Sequence, residues 1–291
     1  MAEGWQLMAT KKALVVCGPT ASGKSEVADA LADRLTEEHE VFVPTLVVDS
    51  MQVYREIPRI TNQARRRPAE LVGISSVTQE WTVARHRERA EEAIARAHAP
   101  FVLDAGTGMY LNAIVLDVPL APKVDPATRR LAESLTAGAK NARRATREKE
   151  LELAGARRRR SVWEGDLRYD TAVIYLRPDT HALDSAILRR SERIANAGLE
   201  EATRLARMQA TGVRLTASVA DAIGVRELLE HLSGAITLDE ATLRIAARTR
   251  RLARRQRRWF DKLARTLEGR APFKVVEGYP DINSMHGKIW P

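Results

Sequence analysis

Eight residues, Gly18-Pro19-Thr20-Ala21-Ser22-Gly23-Lys24-Ser25, carry the most explicit chemistry in the chain. They match G-x-x-x-x-G-K-[ST], a turn that aims successive backbone N–H groups at phosphate oxygens. Gly18 and Gly23 permit the backbone angles this requires, and Pro19, Thr20, Ala21 and Ser22 form the crest between them. Lys24 supplies a point charge, Ser25 a hydroxyl that can ligate Mg²⁺, and the helix that follows adds the positive end of its dipole. An apolar run (13–17) precedes the loop and a helical pattern (Ser25 to Leu35) follows it, the setting in which this motif works.

A phosphate loop serves many reactions, so the residues around it decide which. Asp49 follows the apolar run 45–48 and Asp104 follows 101–103, so either could be the strand-end carboxylate that a kinase or triphosphatase uses to hold its metal. Thr107 lies in the turn Gly106-Thr107-Gly108, where the lack of side chains allows a ligand close approach. Arg190 falls between Ile187 and Ile194 on the apolar stripe of a helix expected over about 182–208, a position where an arginine either reaches outward or meets an anion.

The strongest charge pattern comes later. Thr237 and Glu240 form a capping box that starts a helix running to about Arg265. Its apolar stripe is Leu238, Ala241, Ile245, Leu252, Trp259 and Leu263; Thr249 and Gln256 fall on the same stripe and, once buried, require partners. Residues 244–270 contain 11 Lys/Arg and 2 Asp/Glu. A helix so charged repels itself, and phosphates of RNA would relieve it.

These residues need a frame. Short apolar runs at 13–17, 45–48, 71–77, 101–103 and 171–176 read as strands, separated by helical patterns such as 83–97. That alternation predicts an α/β fold, a P-loop NTPase-like parallel sheet flanked by helices, with a helical region to about 265 and an irregular final twenty residues. Residues 123–170 shift in composition, with Arg143-Arg144, Arg147 and Arg157–Arg160, and read as a small basic helical insertion domain that contacts RNA; 1–122 and 171–291 form the core. Over 291 residues the 44% hydrophobic content supports a large core, and the net charge of +9 favours a polyanionic partner. Cys17, the single cysteine, excludes a disulfide framework and reads as a core residue. No apolar run is long enough to span a membrane, so a soluble, cytoplasmic protein with no membrane contact is expected.

The stretches GPTASGKS (18–25), DSMQVYR (49–55), AGTGMYL (105–111) and TRRLARRQRRWF (249–260), in that order, resemble the tRNA dimethylallyltransferase family. The resemblance implies that the loop holds the pyrophosphate of dimethylallyl pyrophosphate and that the prenyl group passes to N6 of an adenine beside the anticodon of tRNA. It further implies Asp49 as general base, Thr107 beside the reactants, and Arg190 and Arg250 on the leaving group. Ser50, Gln52, Arg254, Arg255 and Gln256 are then substrate or tRNA contacts, Mg²⁺ sits on Ser25, and the enzyme acts as a monomer in the cytoplasm. The sequence also departs from the family. Arg59-Ile60-Thr61-Asn62-Gln63-Ala64 replaces a Gly-Thr-Ala-Lys-Pro element, Ala186 replaces an arginine for which Arg189 could compensate, and the insertion is short. Three other readings stay open: an adenylate isopentenyltransferase acting on free nucleotides, a P-loop small-molecule kinase, and an RNA-binding protein without chemistry.

Overall fold

The structure is a computed structural model, and it describes residues 11–98, 100–120, 124–139, 142–155 and 161–279. Two compact units emerge: Met1–Val115 with Leu167–Pro291, and Leu116–Asp166.

The first unit is built on a five-stranded parallel sheet in the order β2-β3-β1-β4-β5. The strands are β1 (Lys12–Cys17), β2 (Thr45–Val48), β3 (Phe101–Ala105), β4 (Asp170–Arg177) and β5 (Phe273–Glu277). Its helices are α1 (Lys24–His39), α2 (Pro58–Thr61), α3 (Val83–Arg96), α4 (Gly108–Val115), α7 (Thr180–Ala210), α8 (Ala217–Ala220), α9 (Val225–Leu232) and α10 (Leu238–Leu267). Strands β1 to β3 are nearly continuous buried apolar runs, the pattern of strands covered on both faces. The chain leaves β1 toward β2 on one side and β4 toward β5 on the other, and because the strands are parallel the ends of β1, β2 and β3 open onto a common edge.

The second unit pairs α5 (Pro126–Leu135) with α6 (Ala142–Leu153) and is closed at its base by the Asp117 N–H donating to the Asp166 carbonyl at 2.8 Å. Glu150, 2% exposed, accepts from Arg129 across the pair and from Arg147 of its own helix. The unit runs from 116 to 166, where the composition marked 123 to 170. The arginines at 157–160 lie outside the described residues.

Two expected elements differ. Residues 71–77 form no strand: Leu71 (φ 67°) and Gly73 (φ 62°) turn the chain through left-handed conformations that break the pleat, leaving single bridges Leu46–Glu70 and Tyr54–Ser75. The segment after α10, expected to be irregular, adds β5 to the sheet edge beside β4. Its side chains are mostly exposed, so no buried apolar run announced it.

Arg59, Ile60 and Thr61 of the stretch 59–64 lie in α2, held from α7 by Glu201, whose carboxylate accepts from the N–H groups of Arg59 (2.8 Å) and Ile60 (3.0 Å). Just beyond, Arg65 is buried between two carboxylates, 2.6 Å from Asp29 on α1 and 2.5 Å from Asp104 on β3. Burial alone would lower the Arg65 pKa, but the attraction of Asp104 and Asp29 outweighs it and raises the group above its ordinary value. On the other face His86 is fully buried, with its Nδ1 accepting from the Trp81 indole at 3.0 Å. Burial pulls its pKa down to about 4. Among the described residues no helix is long and apolar enough to cross a membrane.

Two outcomes are expected. Arg65→Met leaves two buried carboxylates without their cation and costs about 3–5 kcal/mol in urea denaturation. His86 is neutral in the folded state, and its contribution is complete above its unfolded pKa of about 6.5 and lost as pH falls through about 4. His86→Gln therefore shows a shallower loss of Tm between those two pH values than the unaltered protein.

Candidate active site

The loop Gly18–Lys24 leaves β1 at the crevice and turns directly into α1. Its crest is strained, with Ala21 at φ 64°, and Gly23 enters the helix at φ 80°. No side chain caps α1, so the N–H groups of its first turn are open to an anion. Lys24 is 8% exposed and, among the described residues, has no ion-pair or hydrogen-bond partner. A buried ammonium without a counter-ion is costly, and an anion delivered to this loop removes the cost. Ser25 is half-buried at the start of α1.

Asp49 follows β2 at the same edge. Its Oδ1 accepts from the N–H groups of Met51 (2.8 Å) and Gln52 (3.3 Å), which leaves Oδ2 free to react. The position of Oδ2 is set by Gly106: a Cβ there would lie 2.9 Å from Asp49 Oδ2 and 3.2 Å from Lys24 Cε. Carboxylate and lysine thus flank one space, kept open because position 106 has no side chain. The N–H groups of Gly106 and Thr107 donate to the Val48 carbonyl, tying the β3 turn to the end of β2. Thr107 Oγ1 accepts from the Ser50 N–H at 3.2 Å, and its own proton is available to a ligand.

Arg190 comes from α7, partly buried and within electrostatic reach of Asp49; no ion pair holds it among the described residues. Burial lowers its pKa from the ordinary value, Asp49 opposes the shift and Arg193 adds to it. Arg189, the expected substitute for the missing arginine at 186, is exposed and lies beside Tyr279. The Tyr279 hydroxyl donates to the Ala21 carbonyl at 2.9 Å, roofing the strained crest of the loop.

Helix α10 crosses the edge of the sheet along a buried seam of Ala241, Ile245, Thr249, Ala253, Gln256, Phe260 and Leu263. Leu252 and Trp259 flank this seam, which is rotated by one residue toward Ala253 and Phe260 relative to the expected stripe. Trp259 packs on Gly108, where a Cβ would sit 2.1 Å from its ring, and its indole N–H donates to Asn112. Arg250 lies 3.5 Å from Asp184 of α7, and with Arg254 it lines a cleft of about 440 Å³ floored by Leu183, Ile187 and Ala253. Ala21 of the loop packs against the same apolar group. Arg254 and Arg255 are exposed.

Two expected site residues are engaged differently from the expectation. Gln256, expected to contact tRNA, is buried and bonded to the protein's own backbone. Asp104, a candidate metal carboxylate, is buried and pairs through Oδ2 with Arg65, while its Oδ1 has no hydrogen-bond partner. Gln52 is 7% exposed, and its Oε1 has no hydrogen-bond partner. Sequence reasoning missed Arg65 and Tyr279, because neither lies in a periodic or motif-bearing segment.

The family described as IPP transferase matches residues 52–160 and 136–263. A tRNA dimethylallyltransferase of Rubrobacter xylanophilus is 60% identical, over 97% of this chain and 99% of its own length. The chain belongs to the tRNA dimethylallyltransferase family. The tRNA dimethylallyltransferase of Kineococcus radiotolerans is 34% identical, covering 85% of this chain and 87% of the relative. Among solved structures, a tRNA isopentenylpyrophosphate transferase from Bacillus halodurans superposes with a TM-score of 0.65 at 25% identity, covering 92% of this chain and 90% of that one. A eukaryotic dimethylallyltransferase acting on tRNA shares the fold, with a TM-score of 0.73 at 22% identity over 94% of this chain and 75% of that one. The P-loop NTPase-like fold is therefore that of this transferase family.

Gly106→Ala tests the shared space. The protein is expected to fold, since the crowding atoms are side-chain ends. Its affinity for inorganic pyrophosphate should fall about tenfold or more by calorimetry, because Lys24 and Asp49 must move apart.

Proposed function

We propose that this protein transfers the dimethylallyl group of dimethylallyl pyrophosphate to N6 of an adenine next to the anticodon of tRNA, releasing pyrophosphate. One observation carries the reading. Lys24, buried, and Arg190, partly buried and within electrostatic reach of Asp49, have no ion-pair partner among the described residues, and Lys24 and Asp49 Oδ2 meet at Gly106. A diphosphate supplies the missing negative charge, and its departure is favoured as charge gathers on the bridging oxygen.

The chemistry follows from that arrangement. The bond between the allylic carbon and the diphosphate oxygen breaks with its electron pair going to oxygen, and the N6 nitrogen forms the new bond to carbon. N6 is a weak nucleophile, so removal of its proton as the bond forms lowers the barrier. Asp49 Oδ2 is the acceptor, since Oδ1 is held by two N–H groups. Thr107 donates its hydroxyl proton to a reactant while Ser50 fixes its oxygen. Arg250 is placed to compensate charge from the α10 side, and the exposed Arg254 and Arg255 to meet the tRNA backbone. The insertion unit adds a further RNA contact.

The Ser25 hydroxyl would hold a Mg²⁺ ion. Among the described residues no three acidic, imidazole or thiol groups converge, which suits an ion ligated mainly by diphosphate oxygens and water. Such an ion would neutralise charge on the leaving group. A kinase needs a strand-end carboxylate for its metal; of the two candidates Asp104 already pairs with Arg65, which leaves Asp49 alone for that part. The protein is read as a cytoplasmic monomer.

The test is transfer of label from dimethylallyl pyrophosphate to unmodified tRNA, with AMP as a parallel acceptor. Label should enter tRNA. Asp49→Asn should reduce kcat about 10²–10⁴-fold with tRNA affinity unchanged. Label in AMP alone, or ADP formed from ATP without prenyl transfer, would overturn the reading.

A further inference from the structure

Gln256 sits in the middle of the arginine-rich helix, and charge does not explain it. Its side chain is 9% exposed and lies on the buried seam of α10 between Ala253 and Phe260. Oε1 accepts from the Thr20 N–H at 2.8 Å, and Nε2 donates to the Gly106 carbonyl at 2.8 Å. The partners fix the orientation of the amide, because Thr20 offers it only a donor and Gly106 only an acceptor. A carboxylate would set an acceptor against the Gly106 oxygen, and a thioether would leave both backbone groups buried without partners.

The two backbone groups belong to different halves of the reaction proposed above, on which this inference rests. Thr20 precedes the strained crest of the loop that grips the diphosphate. Gly106 precedes Thr107 and bounds the space of Asp49. We infer that Gln256 is a positioning residue: its amide sets the separation between the turn that holds the prenyl donor and the turn that receives the adenine. One turn further along α10, Trp259 packs on Gly108, so successive turns of a single helix grip the Gly-Thr-Gly segment. The arginines Arg254, Arg255, Arg257 and Arg258 project from the same two turns. The RNA-facing helix and the donor loop are thus braced as one body, and the alignment of the breaking C–O and forming N–C bonds is inherited from that brace.

Gln256→Glu and Gln256→Met separate this role from general support, with Tm measured for each so that activity is compared below the unfolding transition. At about pH 8 both variants should lose about tenfold or more in kcat, while KM for dimethylallyl pyrophosphate changes less than about threefold, since the cradle stays present but misaimed. Lowering the pH to about 6 should restore part of the loss in Gln256→Glu relative to the unaltered enzyme. A protonated carboxyl again presents one donor and one acceptor, and burial favours that neutral form. Gln256→Met should show no such recovery. In parallel, hydrogen exchange of the loop peptide around Thr20 should quicken in Gln256→Met. A variant with unchanged kcat, a loss confined to donor KM, or loop exchange identical to the unaltered protein would each overturn the inference. If the unaltered protein labels no tRNA, the reaction and the positioning role fall together, and the exchange arm still reports whether the brace exists.

Discussion

A lysine and a carboxylate that would ordinarily neutralise each other are instead held on either side of the space above Gly106, and the site depends on that separation. Paired with each other, Lys24 would have little attraction left for a diphosphate and Asp49 little for a proton. The N–H groups of Met51 and Gln52 fix the Asp49 carboxylate through Oδ1, and no ion pair joins it to Lys24 among the described residues. The fold fixes Lys24 at the first residue of α1. A side chain at position 106 would disturb both groups, which gives the glycine a definite physical duty.

The rest of the fold keeps those groups in register. Parallel pairing brings the ends of β1, β2 and β3 to one edge, and the Val48 carbonyl links two of the three turns. Helix α10 then closes across them, with Gln256 at the loop and Gly106, Trp259 at Gly108, and Phe260 against Tyr175. Asp261, next on the helix, accepts from the Tyr175 hydroxyl and pairs with Arg177 at 3.1 Å. Polar and apolar contacts alternate along this span, so the helix is fixed in register along its axis as well as against the sheet.

Much of this was legible in the residues, for reasons that differ from place to place. The loop, Asp49 and Thr107 could be read because backbone approach to phosphate demands glycines at fixed spacing, and because strand-end residues share an edge once the sheet is parallel. Gln256 announced that it needed partners by falling on an apolar stripe, but not which ones, because both lie far away in sequence. The stretch 71–77 misled because its apolar residues pack into the core from a loop: Gly73 hinted at a turn, but the left-handed turn at Leu71 has no composition signal. Strand β5 was hidden for the opposite reason, as an edge strand with exposed side chains. The Asp29–Arg65–Asp104 cluster was invisible, since each charge alone reads as a surface residue and only the fold brings them together.

The brace on the phosphate loop has a consequence for synthesis. Thr20 emerges from the ribosome 236 residues before the glutamine that completes its hydrogen bonding, and the tyrosine over Ala21 follows later still. A nascent chain that has already displayed its loop and first strands therefore carries a cradle whose crest lacks both of its late supports. Contacts so distant in sequence form slowly. The working geometry of the loop thus waits on residues made long after it, and a ribosome-bound intermediate can present the glycine-rich motif without the alignment that Gln256 and Tyr279 supply.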